Sequence, residues 1–265
     1  MSKLGVTMGS ESGRNLLDQT DAQHQAWLKL PKRMFWSFLA FDGIFVAVYL
    51  LSTFIIHLQR SKLFLFVNLD AEANPPAWYS GIQLFVIAIV FFVLWSRLIP
   101  ERQKITRLRP LWLLLGIGFT YLSADEIGQV HEQLSYAGYL LHFNVRLGGH
   151  ALLGERWEWL YLVVGVVLLI AYWKQLALVW RNWRSESIWF VLGFALLFFG
   201  TFIMEAIHVR FHHRFFNGWH EYVEVAFEEG IEMLGATVLL LPAFRVLSQA
   251  VTLPPDAESA DAEVA

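Results

Sequence analysis

Cysteine is absent from all 265 residues, which excludes disulfides, zinc–thiolate sites, iron–sulfur clusters and a cysteine nucleophile. Charge is scarce. Asp, Glu, Lys and Arg make up 16% of the chain, against about 25% in a soluble domain. The net charge of −3 offers no basic surface for nucleic acid. Proline is sparse and, Pro242 apart, falls outside the long apolar stretches, as expected of a residue that breaks helix interiors. What fills the chain instead is hydrophobic residues, at 56%, above the ~45–50% of a soluble domain. That composition excludes a disordered chain and an ordinary soluble enzyme.

A bilayer-crossing helix needs about 20 mostly apolar residues. Six segments qualify: Phe35–Leu58, Trp78–Leu98, Leu111–Leu134, Trp157–Trp173, Ile188–His208 and Glu221–Leu247. The fold class expected is therefore all-α, a polytopic membrane bundle of six transmembrane helices. It occupies residues 35–248, between an N-terminal cytoplasmic tail (1–34, with an interfacial helix near Trp27–Trp36) and a disordered acidic C-terminal tail (249–265). Tryptophans mark the span ends, among them Trp36, Trp78, Trp95, Trp112, Trp157, Trp173 and Trp219, since indole prefers the headgroup zone. Counted together, the two terminal parts and the segments between spans put 14 Lys and Arg on one side and 6 on the other. The positive-inside rule then puts both termini in the cytoplasm. The first 34 residues are too polar for a cleavable signal peptide.

Ionisable residues within the spans are costly in hydrocarbon and mark function by default. The third span contains Ser123-Ala-Asp125-Glu126 and then His131-Glu132. The fifth ends in Glu205-x-x-His208, with His212 one turn further, and the sixth starts His220-Glu221 and continues Glu224, Glu228-Glu229 and Glu232. Asp125, Gln129 and Glu132 are spaced i, i+4, i+7, Glu205, His208 and His212 i, i+3, i+7, and His220, Glu224, Glu228 and Glu232 climb in steps of four. Such separations share a helix face. The third and fifth spans end at the outer side and the sixth begins there. At ~1.5 Å rise per residue, Glu232 lies roughly 18 Å below His220 and the others are shallower. Eight of the nine histidines fall on the same outer side.

Carboxylates crowded in low dielectric cannot all stay ionised, so they share protons or hold a cation. Carboxylate with imidazole suits zinc or iron, and Glu-x-x-His is one arm of the di-iron bundle template, here incomplete. The candidate metal ligands are Asp125, His131, Glu132, Glu205, His208, His212, Glu228 and Glu232, with Glu126 or Glu229 as general base. The bland alternatives are an interfacial role for His212 and helix-start carboxylates for Glu221 and Glu224, favoured by the macrodipole. Asp42 stands apart, nearer the inner side, and is expected to pair with a neighbour. Gly128, Gly230 and Gly235 are expected to permit close helix contact. The loop Asp70-x-Glu72-x-Asn74-x-Pro76-x-Trp78 reads as a turn with an interfacial anchor, or as a polar lid over the cluster.

That loop motif, together with Ser123-x-Asp125-Glu126-x4-His131-Glu132 and Glu228-Glu229-x-x-Glu232-x-x-Gly235, resembles an uncharacterised family of bacterial multi-pass membrane proteins. The resemblance runs from the first span to the sixth and implies a bacterial inner membrane, without an activity. A looser likeness is to membrane metal-hydrolases of the alkaline ceramidase type, which hold zinc between helices with His and Asp. This chain has six spans and more Glu than His.

The function expected is that of a metal-dependent enzyme, a hydrolase or a di-iron-type oxidase, acting on a membrane lipid or another membrane-embedded substrate through a periplasm-facing cluster. The alternative is a cation- or proton-coupled transporter, or a non-catalytic membrane subunit. Reporter fusions at the N-terminus and after residue 250 should both report cytoplasm. A periplasmic signal from either end would reverse the orientation and turn the cluster inward.

Overall fold

A computed structural model describes residues 8–71, 73–96, 107–130, 133, 145–147, 150–153, 157–204, 207 and 218–252. Among them are α1 (Met8–Phe54), α2 (Pro75–Trp95), α3 (Arg109–Gly128), a hairpin of β1 (Val145–Leu147) and β2 (His150–Leu153), α4 (Trp157–Ala171), α5 (Trp173–Asn182), α6 (Arg184–Phe198) and α7 (Trp219–Thr252). A π-helical turn, Phe199–Met204, continues α6. Apart from the hairpin the architecture is helical, as expected.

Four of these helices are long and apolar enough to cross a membrane: Lys29–Phe54 within α1, Pro75–Trp95, Arg184–Met204 and Trp219–Ala250 within α7. Tyr161–Ala171 and Trp173–Asn182 add a fifth only if taken as one span, and they are bent by 68° at their junction. The third expected span is the 20-residue α3, whose outer turn brings Asp125 and Glu126 into it and dilutes its apolar character. Large apolar side chains lie exposed along α1 (Ile44, Val48, Leu51), α2 (Ile82, Phe85, Ile89), α4 (Val163, Val167, Ile170) and α6 (Ile188, Val191, Phe194). Water would penalise faces of that extent, whereas lipid does not.

Three details depart from the sequence expectation. α1 begins at Met8 and runs through Pro31, so much of the N-terminal tail is helical. α5 occupies what reads as an inner loop. Its Leu176 and Val179, with Trp183 just beyond its end, pack on the core, while Lys174 and Arg181 lie elsewhere on its surface. Finally, α3 stops at Gly128, because Gln129 adopts a left-handed conformation (φ 55°).

α7 packs against α1, α2 and α6, and α2 against α3. Two apolar clusters result. The larger joins α2, α3, α5, α6 and α7 around Phe91, Trp112, Phe190, Leu239 and Leu240, with Phe91 and Trp112 stacked at 5.7 Å. The smaller sits at the end of the bundle where Tyr49 and Met233 meet Phe64 and Leu69 of the first loop.

Small residues set the helix spacing. A Cβ at Gly235 would stand 2.8 Å from the Leu197 nitrogen and 3.2 Å from the Gly193 oxygen, so α6 and α7 touch backbone to backbone. Gly230 faces Val46 at 3.3 Å, but nothing lies within 4 Å of a Cβ at Gly128, which therefore makes no such contact. Gly235→Ala should lower stability by about 1–3 kcal/mol, the usual cost of overpacking. Gly43→Ala, with open space around it, should be neutral or raise stability by about 0.5–1 kcal/mol through helix propensity. Thermal unfolding in detergent separates the two.

Candidate functional site

The N-terminal half of α7 carries the acidic residues, and its neighbours determine which of them meet. Glu229 lies where its carboxyl senses the charges of Glu232, Glu126, Glu228 and Asp70, in that order of strength. These five carboxylates come from α3, α7 and the first loop. Glu126 and Glu229, the two residues expected to act as general base, are thus within electrostatic reach of each other. Tyr49 on α1 is buried beside them and senses Asp70, Tyr222, Glu221 and Glu229.

Asp70 is held there by its loop. Asn74 caps α2 by accepting from the Ala77 N–H at 3.1 Å, and its Nδ2 donates to the carbonyls of Leu65 (3.0 Å) and Asn68 (2.6 Å). Pro75 and Pro76 follow in the first turn, where no backbone donor is missed. Phe64 and Leu69 are buried below the loop. Asn74 thus ties the start of α2 to the Leu65–Asn68 stretch that packs on α1 and α7.

Asp125 belongs elsewhere. It is buried and accepts from Tyr161 Oη at 3.1 Å, and Tyr161 Oη in turn lies 2.5 Å from Tyr121 Oη. One residue on a helix is a rotation of about 100°, so Asp125 is turned to α4 while Glu126 is turned to α7. Gln129 does not continue the Asp125 face, because regular helix ends at Gly128.

The π-helical turn brings α6 against the cluster: a Cβ at Gly200 would collide with Glu232 Cγ and stand 3.3 Å from the Glu228 backbone carbonyl oxygen. His131, Glu132, Glu205, His208 and His212 lie outside the described residues. Among the described residues, no three or more His, Asp and Glu side chains stand close enough to hold a metal ion. Asp125, Glu228 and Glu232 alone do not form the metal site expected of them.

Deeper in the bundle is a second polar site that sequence reading saw only as Asp42 and an unnamed neighbour. Asp42 is 5% exposed, and Gln83 and Thr237 are fully buried. Thr237 Oγ1 donates to Asp42 Oδ2 (2.7 Å) and Gln83 Nε2 to Asp42 Oδ1 (2.8 Å). Tyr79 Oη stands 2.6 Å from Asp42 Oδ1. The knot joins α1, α2 and α7. The polar residues Tyr79 and Gln83, i and i+4 on an apolar helix, were its available signal.

Fold and site define a class: a helical bundle with several helices long and apolar enough to span a membrane, acidic at one end and polar again at a buried centre. The chain belongs to the family described as a domain of unknown function, DUF8692, whose model matches residues 38–247. No curated protein and no solved structure matches it. The family match takes in Asp42 and every carboxylate of the cluster.

Asn74→Ala removes the cap and both loop bonds and should cost about 1–2 kcal/mol. Asn74→Asp keeps the capping acceptor and loses the Nδ2 donor, so its melting temperature should fall between alanine and wild type.

Proposed function

We propose that this chain is a six-span protein of a bacterial inner membrane, with both termini cytoplasmic, whose outward-facing carboxylates take up a cation from the periplasmic side and couple it to transport. The observation that carries this reading is the convergence of Asp70, Glu126, Glu228 and Glu232 on the charge of Glu229. Like charges held together in low dielectric repel, so a positive charge entering the group is favoured. The converging groups are all carboxylates, hard oxygen donors that suit protons and hard cations. They are held within electrostatic reach without gathering into a chelate, an arrangement suited to exchange.

A metal-dependent enzyme acting on a membrane lipid is the second reading. The contact of Gly200 with Glu232 favours it, because the π-helical turn leads directly into Glu205-x-x-His208. Zinc or iron would draw on those residues together with His131, Glu132 and His212. The described carboxylates do not fit a metal without them, and no reaction step follows from those carboxylates alone.

Glu228→Gln separates the readings by sign. For an exchanging cluster, loss of one like charge should leave the melting temperature of metal-free protein equal or higher. In a tightly metallated protein the same change should lower both metal content and melting temperature, since a ligand of the native state stabilises it. Proteoliposomes of the wild type should show cation or proton uptake, and Glu229→Gln should abolish most of it. No flux, with one metal per chain retained through purification, would overturn the carrier reading.

A further inference from the structure

Asp42, Tyr79, Gln83 and Thr237 make more close contacts than their hydrogens can serve if Asp42 is a carboxylate. Six contacts lie at hydrogen-bond distance: Tyr79 Oη to Asp42 Oδ1 (2.6 Å), Thr237 Oγ1 to Asp42 Oδ2 (2.7 Å), Gln83 Nε2 to Asp42 Oδ1 (2.8 Å), Tyr79 Oη to the Phe38 carbonyl oxygen (2.8 Å), Gln83 Nε2 to Thr237 Oγ1 (2.9 Å) and Gln83 Nε2 to Tyr79 Oη (3.1 Å). Tyr79 brings one hydrogen, Thr237 one and Gln83 two. The deficit falls on Tyr79. Its single hydrogen faces a carboxyl oxygen and a carbonyl oxygen, and each of those can only accept if Asp42 is ionised. A proton on Asp42 Oδ1 serves all of them but the longest, Gln83 Nε2 to Tyr79 Oη: Asp42 donates to Tyr79, Tyr79 donates to Phe38, Thr237 donates to Asp42 Oδ2, and Gln83 donates to Asp42 and Thr237. Both Tyr79 distances fall within the normal range for O–H···O bonds.

We propose that Asp42 is a proton-binding site in the interior of the bundle, with Tyr79 as the group through which its proton is exchanged. The surroundings agree. The groups facing Asp42 are Tyr79 and Gln83 from α2, Thr237 from α7 and the Phe38 carbonyl from its own helix, none of them cationic. The nearest titratable groups toward the outer side are Glu232 and Glu229 on α7, roughly 8 and 12 Å along the helix axis, and Tyr49 on α1, roughly 10 Å away. When Asp42 releases its proton to the aqueous phase, the Tyr79 hydrogen turns from the Phe38 carbonyl to the new carboxylate. The α1–α2 contact then loses one bond. Proton loss is thereby tied to the packing of α1 on α2 and α7.

The occupancy of Asp42 stands independently of the proposed transport. If that reading holds, it names the proton as the coupled ion. Infrared spectra of the full chain in lipid nanodiscs, with carbon-13-labelled aspartate, test it. The wild type at neutral pH should show a protonated-aspartate carbonyl band that shifts in heavy water and fades as pH is raised. Asp42→Asn should remove the band and Glu229→Gln should retain it. Tyr79→Phe, which spares the carboxyl, should retain the band at a shifted frequency and slow its exchange, and it serves where Asp42→Asn does not fold. Absence of the band in wild type, its survival in Asp42→Asn, or a band that neither exchanges nor responds to pH would overturn the proposal. Flux lost in Glu229→Gln with the Asp42 band intact would instead leave it standing and locate the failure of transport at the outer cluster.

Discussion

Hydrocarbon offers no hydrogen bonds, so each polar side chain carried into a membrane bundle has to find its partners within the protein. In this chain that task falls mainly on α7. It packs against three other helices. Along its length it presents carboxylates at the outer end, Thr237 at the centre and a fully buried apolar run, Val238–Leu241, below. A single charge at the centre of a spanning helix costs about 2.5–3.5 kcal/mol on insertion, and α7 carries Glu228, Glu229 and Glu232 within about one turn and a half. Such a helix is tenable only with α1, α2, α3 and α6 gathered around it.

The gathering depends on backbone proximity. Gly193, Gly200 and Gly235 let α6 lie directly on α7, and Gly200 gives Glu232 its space. On the other side, Gly81 lets α3 approach α2 closely enough for Ser123 Oγ to donate to the Gly81 carbonyl at 2.7 Å. That contact sets the rotation of α3, and therefore the division by which Glu126 joins the carboxylates of α7 while Asp125 bonds to Tyr161 of α4. The polar layers and the apolar layers alternate along the bundle axis. The Asp42 knot separates the outer cluster around Tyr49 and Met233 from the inner one around Phe91 and Leu239, and it bonds α1, α2 and α7 at that level.

Much of the architecture was legible in the sequence because the bilayer imposes simple rules. Length, apolarity, tryptophan placement and the scarcity of proline mark helices wherever they are long and uniform, as in α2 and α7. The acidic groups of α3 and α7 were legible as a candidate site for the same reason: a carboxylate in an apolar run is conspicuous. Where local rules compete, the reading was less accurate. α3 ends at Gly128 because Gln129 turns left-handed, a backbone choice that hydropathy does not record. α5 hid in an apparent loop because its amphipathic pattern spans only Trp173–Asn182, too short to register as a span.

What only the tertiary structure decided is which polar residues meet. Sequence spacing gives the face of a helix and leaves open its rotation about its own axis, and a rotation of one residue exchanges Asp125 for Glu126. Asp70 is distant in sequence from Glu229, and Asp42 from Gln83 and Thr237, with no periodicity linking them. Their meeting follows from the Asn74 clasp on the first loop and from helices packed at glycine. The sequence by itself determined that a helical membrane-type bundle forms and that its carboxylates crowd one end. The partner of each carboxylate came from close packing, because hydrogen bonds and charge coupling are set at ångström separations that only the assembled helices define.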